Sequence, residues 1–250
     1  MTSSTGADGV HGPRPVVAAR LRSVRKRFGY RDVLRGIDLD LERGTCLAVA
    51  GPNGAGKSTL LRILSTQWTA TGGEVEVLGI DARREPLAVR RRVGVCAHES
   101  FLRRELSLEE NLRFAGDLFG LRGGPLPRDE LDIRIERLCE TFGLAHRRKD
   151  RVSIFSQGML RRASLARSLL HEPELWILDE PFSGLDAHGR EILQEAIRAF
   201  HAKGGTVVLV THEAALADAL ATSTLRVEEG LLVRGGAGEA APAGGGSGEP

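Results

Sequence analysis

The sequence predicts an α/β domain with a largely parallel sheet covered on both faces, and three observations carry that expectation. Four short apolar runs of β character, at 45–51, 92–97, 174–180 and 206–212, alternate with stretches compatible with helix. A glycine-rich loop separates the first of these runs from an amphipathic, helix-compatible segment. Residues 104–172 interrupt the alternation with charged, Leu-rich segments of helical spacing and no comparable β run, which predicts a helical insertion.

With 250 residues, 41% of them hydrophobic, the chain can bury one sizeable core, expected over residues 17–234. Residues 1–16 and 235–250 are small, Gly/Pro/Ser-rich and poor in large apolar side chains, so burial cannot offset the entropy of ordering them; both are expected to be disordered tails. Cys46, Cys96 and Cys139 are odd in number and far apart, which fits neither a paired metal site nor a disulfide scaffold and implies a reducing compartment. No apolar run reaches membrane-spanning length and the first residues lack a signal-type stretch, so a membrane role would come through a partner. The run Arg90–Arg92 stands among 33 acidic residues with no interleaved aromatics, so nucleic acid is not an expected partner.

The glycine-rich loop is Gly51-Pro52-Asn53-Gly54-Ala55-Gly56-Lys57-Ser58-Thr59, placed between an apolar strand and a helix as a P-loop requires. Its glycines let backbone N–H groups approach phosphates, and the helix beyond it adds its positive dipole end. Lys57 would reach the β- and γ-phosphates of ATP, and the Ser58 hydroxyl would sit on Mg²⁺.

A second strand, 175–179, ends in Asp179 with Glu180 next to it, where carboxylates are costly unless they meet a cation or a proton-transfer task. Asp179 suits Mg²⁺ and Glu180 suits a base that polarises attacking water. Ser183-Gly184-Leu185-Asp186 then makes a turn, and Thr211-His212-Glu213 ends another apolar strand, which brings His212 to the sheet edge where ligands bind in open α/β folds.

The order of these motifs resembles the ATP-binding cassette (ABC) family over residues 18–234. The P-loop, the Asp-Glu-Pro after the acidic strand, the SGLD turn and the THE triplet occur in family order, and FSQGM at 155–159 stands where the family has its LSGGQ signature at the start of a helix. The resemblance implies an ATPase with a RecA-like core sheet, a small antiparallel β region and a helical insertion. It also implies that Ser156 and Gly158 contact the γ-phosphate of ATP held by the opposite subunit, with Asp186 close to the nucleotide. Phe28 fits the aromatic that stacks on adenine, with Tyr30 in reserve. Two departures stand out. Gln157 and Met159 replace a glycine and a glutamine of the signature, and His98 occupies the place of the coupling glutamine, offering a ring nitrogen that titrates near neutrality.

One P-loop and one signature per chain imply a dimer, and the resemblance implies a separate permease that holds the chain at the cytoplasmic face of the membrane. His98 and the wording WILDEPF are similar to the ATPase of the haem exporter of cytochrome c maturation, so haem export is the expected task. The alternatives are a drug- or antibiotic-type exporter and a non-transport cassette such as the iron–sulfur cluster assembly ATPase.

Overall fold

A computed structural model describes residues 17–97, 99–121 and 128–233; His98 and the two segments expected to be tails lie outside the described residues. The chain opens with two long antiparallel strands, β1 (Val17–Phe28) and β2 (Arg31–Glu42), and then enters the core as β3 (Cys46–Ala50). Next come α1 (Lys57–Leu64), β4 (Gly72–Val77), β5 (Ile80–Asp81), α2 (Pro86–Arg90) and β6 (Val93–Cys96). The next described elements are helices: α3 (Leu108–Leu118), α4 (Arg128–Thr141), two single 3-10 turns and α5 (Gln157–Leu169). The core resumes with β7 (Leu175–Asp179), α6 (Ala187–Ala202), β8 (Thr206–Val210), α7 (Ala214–Leu220), β9 (Ser223–Glu228) and β10 (Leu231–Val233).

Two sheets result. One is antiparallel, in the order β2-β1-β4-β5; the other has the order β10-β9-β3-β8-β7-β6 and is parallel except for β10. The four apolar runs of the sequence are β3, β6, β7 and β8. They are unbroken in hydrophobicity because both faces are covered, so neither side can be polar. Side chains alternate between two cores: Leu47, Val49, Ile177 and Val208 face α1 and the antiparallel sheet, whereas Cys46, Trp176, Leu178 and Val207 face the helical side. Trp176 is wholly buried and its Nε1–H donates to Ser168 Oγ on α5 at 2.9 Å, so the ring adds apolar area without an orphaned donor.

The strand register decides where the connecting loops emerge. Val49 lies beside Val210, and Asp179 lies beside Val210, so β3, β7 and β8 finish side by side. The loop 51–56, Glu180 and His212 therefore leave the sheet at one edge. The helical stretch reaches the same edge through α5, and α3 is fixed by a reciprocal cap in which Ser107 Oγ accepts from the Glu110 N–H while the Glu110 carboxylate accepts from the Ser107 N–H.

Candidate active site

The loop between β3 and α1 can only be built from glycine at its two ends. Gly51 has φ +136°, and a Cβ there would collide with the Val227 carbonyl. Gly56 has φ +110°, with Leu34 Cδ2 2.7 Å from where its Cβ would stand. Gly56 caps α1 with no side chain, so the first N–H groups of the helix open toward the loop. Lys57 is only 7% exposed, and its ammonium is satisfied by the carbonyls of Gly51 at 2.7 Å and Pro52 at 2.9 Å. Its charge is thereby pinned against the loop that would cradle phosphate.

A cavity of about 310 Å³ opens here, and Asn53, Lys57, Ser58, Asp179, Glu180 and His212 line it. Ser58 Oγ donates to Asp179 Oδ1 at 3.3 Å, a long bond that a better partner could displace. Hydroxyl and carboxylate are the hard oxygen donors that Mg²⁺ takes, with phosphate and water completing its octahedron, so this pair fits that ion. Arg31 and Val33 of β2 also line the cavity, and no local motif marks them in the sequence.

Glu180 sits one residue past β7 at φ +48°, a left-handed conformation that a non-glycine residue adopts only when its surroundings impose it. Its N–H donates to the Val210 carbonyl at 3.0 Å. Its own carbonyl accepts from the Ser183 N–H and from Arg161 Nη2, each at 3.2 Å. The carboxylate Oε1 lies 3.0 Å from His212 Nε2, yet without hydrogen-bond alignment, and this buried atom has no side-chain donor among the described residues. Burial pushes the Glu180 carboxyl above its ordinary value; the His212 ring and the His212 backbone N–H oppose that rise, and the Asp179 charge adds to it. A carboxylate of raised basicity beside an imidazole is suited to accept a proton from water.

Gly54, Gly56 and Thr59 also line this cavity, whereas Ser156, Gly158, Asp186 and Phe28 do not. Ser156 is the N-cap of α5, its Oγ accepting from the Met159 N–H at 3.2 Å, and a Cβ on Gly158 would stand 3.1 Å from the Gly184 carbonyl oxygen. The FSQGM segment thus abuts the SGLD turn. Asp186 is the N-cap of α6, where Oδ1 accepts from the Gly189 N–H at 2.8 Å, so its carboxylate faces its own helix. Phe28 does not line the cavity; it meets Trp68 edge to face at 4.9 Å, with Lys26 Nζ 4.9 Å from its centroid. Tyr30 is fully exposed.

Fold and cavity together define a P-loop nucleotide-binding domain. The profile of the ABC transporter family matches residues 34–183. The chain is 40% identical over 219 residues to the daunorubicin resistance ATP-binding protein DrrA3 of Streptomyces coeruleorubidus, which covers 88% of this chain and 68% of that protein. It is 37% identical over 203 residues to the Nod factor export ATP-binding protein I of Rhizobium meliloti (strain 1021), covering 81% of this chain and 59% of that one. Among solved structures, an ATP-binding subunit of an ABC transporter matches with a TM-score of 0.79 at 29% identity, over 86% of this chain and 88% of that chain. A dimeric ATP-binding cassette in a post-hydrolysis state, bound to ADP and Pi, also matches with a TM-score of 0.79, at 25% identity over 86% of this chain and 97% of the other. The chain belongs to the ABC transporter family and is an ATPase domain of that family. It spans about two-thirds of the length of the curated relatives it matches.

Proposed function

We propose that this chain powers an exporter of drug- or antibiotic-type molecules by binding ATP and Mg²⁺ and hydrolysing ATP within a dimer docked on a separate permease. The observation that carries the catalytic reading is the convergence of Lys57, Ser58, Asp179, Glu180 and His212 on one cavity at the edge where three strands end. Its relatives are named for daunorubicin resistance and Nod factor export, which favours the exporter alternative over haem export and over iron–sulfur assembly. Residues 17–234 form the ATP-binding domain in this reading, with 104–172 as its helical subdomain.

The loop N–H groups and Lys57 hold the β- and γ-phosphates, while Ser58 and Asp179 offer oxygen ligands. Held by Ser58 and Asp179, Mg²⁺ would supply positive charge against the developing charge of the transferred phosphoryl group. Glu180 takes the proton of the attacking water, and His212 orients that carboxylate and stabilises the charge near it. Phe28, propped by Trp68, is the adenine platform. Ser156 and Gly158, which do not line the cavity of their own chain, contribute to the nucleotide of a second copy. No helix of the described residues is long and apolar enough to cross a membrane. A permease chain at the cytoplasmic face supplies the path in this reading.

The test is expression of the chain with its permease in a drug-sensitive host, which should raise tolerance to anthracycline-type compounds. Lys57→Ala should abolish the gain and weaken ATP binding about tenfold or more, because a charge-assisted contact of this kind is worth roughly 1.5–3 kcal/mol. Equal ATP affinity of wild type and variant by calorimetry overturns the nucleotide site. Undiminished ATPase activity without any gain in tolerance removes the drug-type substrate.

A further inference from the structure

Arg161 is one turn into α5, and its guanidinium reaches across to the ends of two neighbouring strands. Nη1 donates to the Ala97 carbonyl at 2.7 Å and lies 3.7 Å from Cys96 Sγ, and Nη2 donates to the Glu180 carbonyl at 3.2 Å. β6 and β7 are paired with Cys96 beside Leu178, so the guanidinium spans the place where both strands stop. A planar fork with several fixed donors suits two carbonyls at once, and a half-buried guanidinium must find such partners. The adjacent Arg162 does something different: it donates to the carbonyls of Phe142 and Gly143 and so ties α5 to the end of α4.

The helix that carries Arg161 begins at Ser156, and its first turn abuts Gly184. Glu180, at the other end of the bridge, is held in a left-handed conformation by its N–H on Val210 and by its carbonyl on Ser183 and Arg161. Of these three restraints only Arg161 comes from the helical stretch. A shift of α5 therefore acts directly on the peptide that aims the Glu180 carboxylate, and a helix moves as a rigid element along its length.

We propose that Arg161 is a positioning residue that couples the two nucleotide sites of the dimer. It relays the seating of Ser156 and Gly158 against one nucleotide to the backbone of the base that serves the other. The proposal rests on the proposed dimer, in which the FSQGM segment faces the nucleotide of a second copy.

The experiment measures MgATP hydrolysis by the full chain against ATP concentration, with thermal unfolding in parallel, for wild type, Arg161→Met and Arg161→Lys. Wild type should be cooperative, with a Hill coefficient approaching about 2, the limit for two sites. Arg161→Met, of similar length but without donors, should lower kcat about ten- to a hundredfold, as a small misplacement of a reacting group does, and leave KM within about threefold. Its Hill coefficient should fall toward about 1. Arg161→Lys keeps a charge that reaches one carbonyl, and its kcat should lie between the two. Wild-type kcat and cooperativity in Arg161→Met overturn the proposal, as does a joint fall of kcat/KM and Tm in which Lys is no better than Met. If wild type is not cooperative and Glu180→Gln traps no ATP-bound dimer, the two-copy reading fails and the coupling with it. A cooperative wild type beside an unaltered Arg161→Met removes the coupling alone.

Discussion

The two edges of the six-stranded sheet are built on opposite principles. Where β7 begins, the Glu174 carboxylate is clasped by Arg92 through Nε and Nη2 and by Arg43 Nη1 at 2.8 Å, the Gly44 N–H finds Thr206 Oγ1 at 3.0 Å, and His201 meets the Gly44 carbonyl at 2.7 Å. Where β7 ends, Glu180 holds a left-handed backbone, Ser58 and Asp179 share one long bond, and among the described residues the Glu180 Oε1 has no aligned side-chain donor and Lys57 meets loop carbonyls alone. At the first edge these groups find their partners within the chain. The second is pre-organised and under-partnered, which is what a site that must bind highly charged phosphate needs, at the expense of local stability.

The largest effect that separates the edges is expected from Glu180→Gln. The variant keeps shape but loses the base, so hydrolysis should drop by about 10²–10⁴ while ATP still binds. Stability should move the other way. The folded carboxyl titrates above its unfolded value, so ionising it opposes folding once the pH exceeds the unfolded value, and the amide removes that opposition. Steady-state turnover and denaturant midpoints at pH 8 check both halves. A less stable variant would mean that Glu180 serves the fold as much as the chemistry.

How much of the molecule is legible in the sequence depends on how local each signal is. β3, β6, β7 and β8 are readable because burial on both faces leaves an unbroken apolar run, and the P-loop, Asp179, Glu180 and His212 because each stands directly beside such a run. β1 is not delimited by its sequence. Its alternation breaks at the irregular register between Leu21 and Val24, where Ser23 takes φ +48°, so a period-2 pattern slips to the other face. The family resemblance puts Asp186 close to the nucleotide, whereas an Asp three residues before the N–H it caps is an N-cap signal already present in the sequence. No local signal singles out Arg161. It stands next to Arg162 in an Arg-rich helix, and only the fold shows that one crosses to the sheet and the other stays among the helices.

His171 offers a smaller effect, away from the nucleotide edge. Its ring stacks on Phe119 with centroids 3.8 Å apart and planes 8° from parallel, and Nε2 lies 3.1 Å from the Val93 carbonyl oxygen. Burial lowers its pKa to about 4, and the Arg167 charge pushes in the same direction while the Val93 contact opposes it. Between about 4 and the unfolded value near 6.5 the unfolded chain binds the extra proton, so stability is complete above that window and falls as pH drops through it. Against His171→Phe, which keeps the stack and cannot be protonated, wild type should lose roughly 2 kcal/mol more between pH 7 and pH 5. Parallel stability profiles for the two would show that the ring is freely protonated in place.

The smallest effect tests the edge where Arg92 and Arg43 clasp Glu174. The Arg92 and Arg43 guanidinium groups hold the Glu174 carboxyl below the usual carboxylate range, so its contribution is present above about pH 4.5 and is lost as pH falls through the lowered folded value. The side chain is nevertheless 40% exposed, and water and salt screen such a pair. Glu174→Gln should therefore cost only about 1 kcal/mol or less at pH 7. The gap should close both toward acid, where the wild-type carboxyl protonates, and at about 1 M salt, where the Debye length falls to about 3 Å. Glu174 and Glu180 flank the two ends of β7, about 20 Å apart at an ordinary strand rise, so ATP affinity and turnover should not change. Urea midpoints at two pH values and two salt concentrations, with ATPase rates alongside, measure all of this. A loss of several kcal/mol that persists in high salt would place Glu174 in a truly desolvated pair. A loss of turnover without a loss of stability would mean that the start of β7 sets the position of its end.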